Sequence, residues 1–280
     1  MSVVLQISDT HFGTEQPPVV EALALLAQQQ RPDLIVLSGD ITQRARPGQF
    51  VAARAFVDRL GAPVLALPGN HDIPLFDLWA RLRHPYAHYS AAFSAELAPV
   101  HRSAGLLVLG VNTTRARRHR HGEVSARQVD QVAGLLEDAD AAQLRVVVVH
   151  QPAAVLRAED LPDRLRGQAA ALARWAAAGA DLVMGGHIHL PYVMPVLGLA
   201  RPLWVVQAGT AVSSRLRQGV PNSVNLVRWG GVGLKPGCCR VEQWDYSAGQ
   251  PAFCMAKASE VQPARHRPAA GAALPASLAT

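Results

Sequence analysis

Five times along this chain an apolar run of four or five residues stops at a short cluster of Asp, Asn or His. Residues 3–7 run into Asp9 and His11, residues 34–37 into Asp40, and residues 63–67 into Pro68-Gly69-Asn70-His71-Asp72. Residues 145–149 end at His150, and residues 181–184 end at Gly185-Gly186-His187-Ile188-His189. Short β-branched and aliphatic runs bounded by turn residues read as strands. Strands without polar alternation are buried on both faces, as in parallel sheets. Residues 19–30, 48–60 and 167–178 carry helical spacing, as does the stretch after the capping box Ser125-Ala126-Arg127-Gln128. The alternation predicts an α/β fold with the polar clusters at the carboxyl ends of strands, where open α/β sheets bind ligands. One such cluster alone is a polar turn. Five at equivalent places are a site.

The rest of the chain is less patterned. Residues 73–100 read as helical cover whose aromatics pack into the core, and residues 75–79 as part of a core helix. The basic loop 115–121 reads as a solvated charge run. Residues 203–207, 224–229 and 239–244 follow one another with little helix between, which predicts an antiparallel return sheet. Residues 1–255 are expected to form the domain and 256–280, rich in Ala and Pro, a loose tail.

Composition sets bounds on partners and compartment. With 49% apolar and 17% charged residues, 280 residues are expected to fold around a substantial core. The net charge of +6 comes almost wholly from arginine, Lys235 and Lys257 being the lysines, and scattered arginines read as compositional bias. Cys238, Cys239 and Cys254 have no metal-ligand spacing and are expected to be reduced thiols. A strand beginning at residue 3 and the lack of a long apolar run lead to the expectation of a cytoplasmic protein.

The clusters bring Asp9, His11, Asp40, Asn70, His71, His150, His187 and His189 to one edge. Asp9 and His11 point the same way if the backbone between them is extended. Asp40 stands alone and is the natural bridge between two cations. Mixed oxygen and nitrogen donors suit two divalent ions such as manganese, iron, zinc, cobalt or nickel, whereas the lack of thiolate disfavours copper(I) or a structural zinc. Two cations about 3.5–4 Å apart can hold a phosphate, lower the pKa of bound water and stabilise in-line attack. His84, His88, His101, His119, His121 and His266 fall outside the clusters and are expected at the surface.

The series Asp9-x-His11, Gly39-Asp40, Gly69-Asn70-His71-Asp72, His150 and Gly186-His187-x-His189 resembles the calcineurin-like metallophosphoesterase superfamily. The resemblance implies a four-layer αββα sandwich, with two mixed β-sheets flanked by helices, and a dinuclear centre. It assigns one metal to Asp9, His11, Asp40 and His189, and the other to Asp40, Asn70, His150 and His187. It makes His71 a phosphate-contacting electrophile or leaving-group acid, oriented by Asp72, for which a purely structural role is the alternative. Length and motif spacing look most similar to bacterial class III cyclic-nucleotide phosphodiesterases, so the expected partner is a small-molecule phosphodiester and not nucleic acid. Glycerophosphodiesterases share the motifs, and so does the UDP-diacylglucosamine hydrolase of lipid A synthesis. Only this last reading brings in a membrane surface. A partner-binding scaffold is the non-enzymatic alternative, and the sequence leaves room for a homodimer.

Overall fold

The computed structural model describes residues 1–231 and 233–264. The first three apolar runs become β1 (Ser2–Ile7), β2 (Leu34–Ser38) and β3 (Val64–Leu67), parallel neighbours joined through α1 (Pro17–Gln30) and α2 (Pro47–Asp58). Pro17 starts α1, and Arg31 ends it in the left-handed region before Pro32 blocks continuation. Two short helices, α3 (Leu78–Arg83) and α4 (Ala87–Ala92), lead to an edge strand, β4 (Val100–Arg102). A second parallel set follows: β5 (Leu106–Gly110), α5 (Ala126–Glu137), β6 (Leu144–Val148), α6 (Gln168–Ala178) and β7 (Leu182–Gly185). The capping box before α5 closes in both directions, Gln128 N donating to Ser125 Oγ and Ser125 N to Gln128 Oε1. The chain finishes with β8 (Tyr192–Pro195), β9 (Trp204–Gln207), β10 (Ser223–Trp229), β11 (Cys239–Ser247) and β12 (Ala252–Val261).

The strands assemble into two six-stranded sheets, ordered β12-β11-β10-β1-β2-β3 and β4-β5-β6-β7-β9-β8. Successive side chains of a strand face opposite ways, and β2 shows where each face goes. Leu34 and Val36 pack with Val108, Val146 and Met184 of the other sheet, while Ile35 and Leu37 pack with Leu23 and Leu26 of α1 and Phe50 of α2. On the far side, α5 and α6 cover the second sheet through Val132, Leu136, Leu172 and Trp175. The layers are therefore helix, sheet, sheet and helix, and the inner strands need apolar residues at every position.

Three expectations are corrected. Residues 203–207 do not join an antiparallel return: β9 pairs parallel with β7 and antiparallel with β8, while β10, β11 and β12 extend the first sheet beyond β1. An apolar run carries no mark of which open edge it will reach. The boundary at 255 falls inside β12, whose ladder with β11 continues to Val261 opposite Cys239; residues 265–280 lie outside the described residues. The helical cover over 73–100 is present and Tyr89 is buried, its hydroxyl donating to the Ala66 carbonyl at 2.8 Å. Phe76 and Trp79, expected in the core, are instead 79% and 67% exposed.

Candidate metal centre

Asp9 and His11 leave β1, Asp40 leaves β2, Asn70, His71 and Asp72 form a single 3₁₀ turn after β3, and His150, His187 and His189 leave β6 and β7. These strand ends belong to both sheets, so the cluster sits over the seam between them. Small residues let the loops close on one another. A Cβ at Gly69 would fall on Asp40 N and Oδ1, and one at Gly186 would fall on Ser8 Oγ and crowd Asp9 Oδ2. Asp9 (φ 51°), His11 (φ 43°), Asp40 (φ 49°), His187 (φ 75°) and His189 (φ 52°) all adopt left-handed backbone. The extended segment expected between Asp9 and His11 is therefore absent; tight left-handed turns aim their side chains inward. Five non-glycine residues held there concentrate backbone strain at the cluster.

The side chains meet in overlapping groups. Asp9, His11 and His189 have ligand atoms within 4.8 Å of one another, as do Asp40, His150 and His187. Asp40 lies between the groups, Oδ1 3.2 Å from His150 Nε2 and Oδ2 3.9 Å from His11 Nε2. Asn70 Oδ1 is 3.2 Å from His150 Nε2. His11, Asp40 and His71 form a third such group.

The donor inventory shows that this cluster fits cations. His150 Nδ1 lies 2.9 Å from the Ser38 carbonyl and His189 Nδ1 lies 2.7 Å from the Arg215 carbonyl. A carbonyl only accepts, so each Nδ1 carries a proton and each Nε2 is the atom turned inward. Those nitrogens face carboxylates, His150 toward Asp40 and His189 toward Asp9 Oδ1 at 3.3 Å. Asp9 Oδ1 is buried without a hydrogen-bond donor, and so is His187 Nδ1. Buried carboxylates gathered among imidazole nitrogens require positive charge among them, from cations or from protons on the rings. The same pull appears in the ionisation. Burial pushes the His150 imidazole down, yet the Asp40 carboxylate holds it up at about 9. Burial likewise pushes Asp9 up, and the imidazoles of His189 and His150 hold it down at about 2.

Of its two alternatives Asp72 takes the structural one. Its carboxylate accepts from Gly69 N (2.8 Å), Ile41 N (3.0 Å), Thr42 N (2.8 Å) and Thr42 Oγ1 (2.8 Å), tying the loop after β2 to the turn after β3. It does not orient the His71 ring. That ring donates from Nδ1 to the Gln43 carbonyl at 3.0 Å. Burial and the nearby Asp40 charge raise the Asp72 carboxyl to about 6, against those four donors. Asp72→Asn puts an NH₂ among donors, and unfolding by denaturant should show a loss of about 1–3 kcal/mol. An unchanged midpoint would show that the loops are held by other contacts.

Several residues reach the site without any sequence signal of their own. A cavity of about 590 Å³ over the cluster is lined in part by His119, Arg120, Arg215 and Arg217. Arg215 Nη1 donates to Gln43 Oε1 at 3.0 Å and lies 3.2 Å from His71 Nε2. Asp163 Oδ1 is 3.5 Å from His187 Nε2, which fixes that ring with Nδ1 facing the cluster, and Arg120 holds Asp163 in turn. His119, expected at the surface, sits 5.6 Å from the His71 ring. The basic loop is thus part of the cavity wall, with Arg118 paired to Glu123 and Arg120 to Asp163. The one available signal for Arg215 is its place in the loop that leaves β9, a parallel strand like those that carry the other clusters.

A four-layer sandwich carrying this His, Asp and Asn cluster at facing strand ends defines a metal-dependent hydrolase of phosphate esters. The model of the calcineurin-like phosphoesterase family matches residues 2–191, and the chain belongs to that family. Its members use a dinuclear divalent metal centre, for which the groups above are suited. A cAMP/cGMP dual specificity phosphodiesterase of Mycobacterium tuberculosis is 30% identical over 204 residues, 67% of this chain and 61% of that protein. A protein of Synechococcus sp. named a probable cyclic nucleotide phosphodiesterase is 34% identical over 80 residues, 25% of this chain and 31% of that protein. The chain thus matches less than two thirds of the length of these relatives. Among solved structures, a dimetal phosphatase from Danio rerio shares the fold with a TM-score of 0.65 at 12% identity, covering 94% of this chain and 99% of that one.

Proposed function

We propose that this protein hydrolyses phosphodiesters and that its substrate is a 3′,5′-cyclic nucleotide, a small molecule met in the cytoplasm. The observation that carries the reading is the pair of donor groups sharing Asp40, with His71 beside them in an open cavity. The names of the relatives support the cyclic-nucleotide half. Asp9, His11, Asp40 and His189 would hold one divalent ion, and Asp40, Asn70, His150 and His187 the other. Bound there, the ions supply Lewis acidity toward a phosphoryl oxygen and a water of lowered pKa.

The chain's own groups do the rest. The backbone carbonyls of Ser38 and Arg215 keep the His150 and His189 rings in one tautomer. Asp163 does the same for His187. The Gln43 carbonyl holds the His71 Nδ1 proton, so Nε2 is the atom presented to substrate. Arg215 Nη1 reaches the same point and donates to an anionic oxygen placed there. A second proton on His71 can then pass from Nε2 to the departing alkoxide. The exposed Phe76–Trp79 flank favours a second reading, hydrolysis of UDP-diacylglucosamine, whose acyl chains need apolar surface.

A panel assay tests the proposal. Protein stripped of metal and reloaded with manganese should hold about two ions per chain by elemental analysis. It should cleave cyclic AMP, cyclic GMP and bis(p-nitrophenyl) phosphate in preference to p-nitrophenyl phosphate. Full activity after complete chelation would exclude the metal mechanism, and a large monoester preference would exclude the diester. Cleavage of the UDP-lipid alone would select the second reading.

A further inference from the structure

The most exposed apolar residues near the cavity belong to one short stretch. Phe76, Leu78, Trp79 and Leu82 are 79%, 73%, 67% and 67% exposed, and α3, which carries three of them, has no buried residue. Six residues cannot hold a helix by themselves in water. Polar ties hold it instead. Asp77 caps it by accepting from Ala80 N at 2.9 Å, and Arg81 donates to the carbonyls of Ala116 at 2.5 Å and Pro74 at 3.4 Å. The helix is thus pinned to the basic loop with its apolar side chains outward. Arginines border the patch: Arg44 stands 5.5 Å over the Phe76 ring and Arg83 4.4 Å over the Trp79 ring.

The charge decides what can cover this face. Arg44, Arg81 and Arg83 surround it, exposed Arg117 lies one residue beyond Ala116, and the one acid in the stretch, Asp77, is engaged as the cap. A second copy meeting the same face across a two-fold axis would set arginine against arginine. Residues 265–280 contain two arginines and no acid, so the chain's own end is equally mismatched. An anionic bilayer matches both halves of the pattern. Aromatic and leucine side chains enter the boundary between headgroups and acyl chains while arginines meet lipid phosphates. The face also adjoins the cavity. Arg81 is tied to Ala116, in the loop whose His119 and Arg120 line the cavity.

We infer that Phe76, Leu78, Trp79 and Leu82, with Arg44, Arg81 and Arg83, dock this protein on anionic membrane surfaces with the mouth of its cavity near the lipid. Co-sedimentation of the full chain with vesicles tests this and needs no substrate, so it stands or falls apart from the enzymatic reading. Wild type should bind phosphatidylcholine vesicles containing phosphatidylglycerol, more weakly at high salt, and hardly bind phosphatidylcholine alone. The Phe76→Ser/Trp79→Ser/Leu82→Ser variant should bind at least about tenfold more weakly, while its circular dichroism spectrum and thermal midpoint stay those of wild type. If that variant fails to fold, Arg83→Glu alone should still reduce vesicle binding. Failure of wild type to bind the anionic vesicles would overturn the inference, as would equal binding by the variants. Light scattering that shows a dimer lost in the triple variant, without vesicle binding, would assign the face to self-association.

Discussion

An Asp40→Asn protein should retain neither metal at stoichiometry and should lose phosphodiesterase activity by more than about 10²-fold. Losing a group that merely orients a ligand costs about 10–100-fold in affinity or rate, and Asp40 stands between both donor groups. The imidazoles of His150 and His71 hold its carboxyl well below the usual range although burial pushes it up. The negative charge is thus built into the site, and asparagine removes that charge with little change of shape. The substituted amide keeps an oxygen for the His71 N–H that Asp40 Oδ1 accepts at 2.8 Å, so the turn after β3 should survive. His11 shares a donor group with Asp9 and His189 and none with His150 or His187, so His11→Ala should deplete mainly one ion. Elemental analysis of the two variants, prepared alike, checks the assignment. Equal metal loss in both would remove Asp40 from the bridging position.

His71→Ala should keep both ions and still lose about 10²–10⁴ in rate on a cyclic nucleotide. The ring is fixed through Nδ1 by the Gln43 carbonyl, and its Nε2 faces the cavity beside Arg215 Nη1. A proton delivered from Nε2 matters most when the leaving group is a poor one. A sugar alkoxide is poor and nitrophenolate is good, so the loss should be markedly smaller on bis(p-nitrophenyl) phosphate. Comparable losses on the two esters, with metal intact, would leave His71 only an electrostatic part. Because His71 also lies within 4.8 Å of His11 and Asp40, metal content must be measured in the same preparation. Loss of an ion would make His71 a ligand.

The strand ends were legible because an apolar run buried on both faces has no room for Asp, Asn or His until it leaves the sheet. The clusters at 9–11, 40, 70–72, 150 and 187–189 therefore marked both the strands and the site edge. What was not legible reaches the site sideways. Arg215 and His119 come from loops and Asp163 from the end of a short 3₁₀ helix, Ala158–Asp163, and their roles depend on which turns face them in three dimensions. The role of Asp72 stayed open for a related reason. The resemblance allowed it to orient His71 or to be structural, and backbone N–H groups from residues 41, 42 and 69, invisible to a side-chain pattern, claim the carboxylate. Phe76 and Trp79 look like core residues in any hydrophobicity count, and only the fold shows them outside.

The left-handed backbone at Asp9, His11, Asp40, His187 and His189 bears on how such a protein drifts once selection on its activity is relaxed. Each of these positions would be more comfortable as glycine, and a non-glycine residue there costs about 1–3 kcal/mol. Glycine at these turns relieves backbone strain. An inactive descendant is thereby drawn toward a sturdier fold than its working ancestor. The site persists only while catalysis is worth more to the cell than the rigidity it displaces.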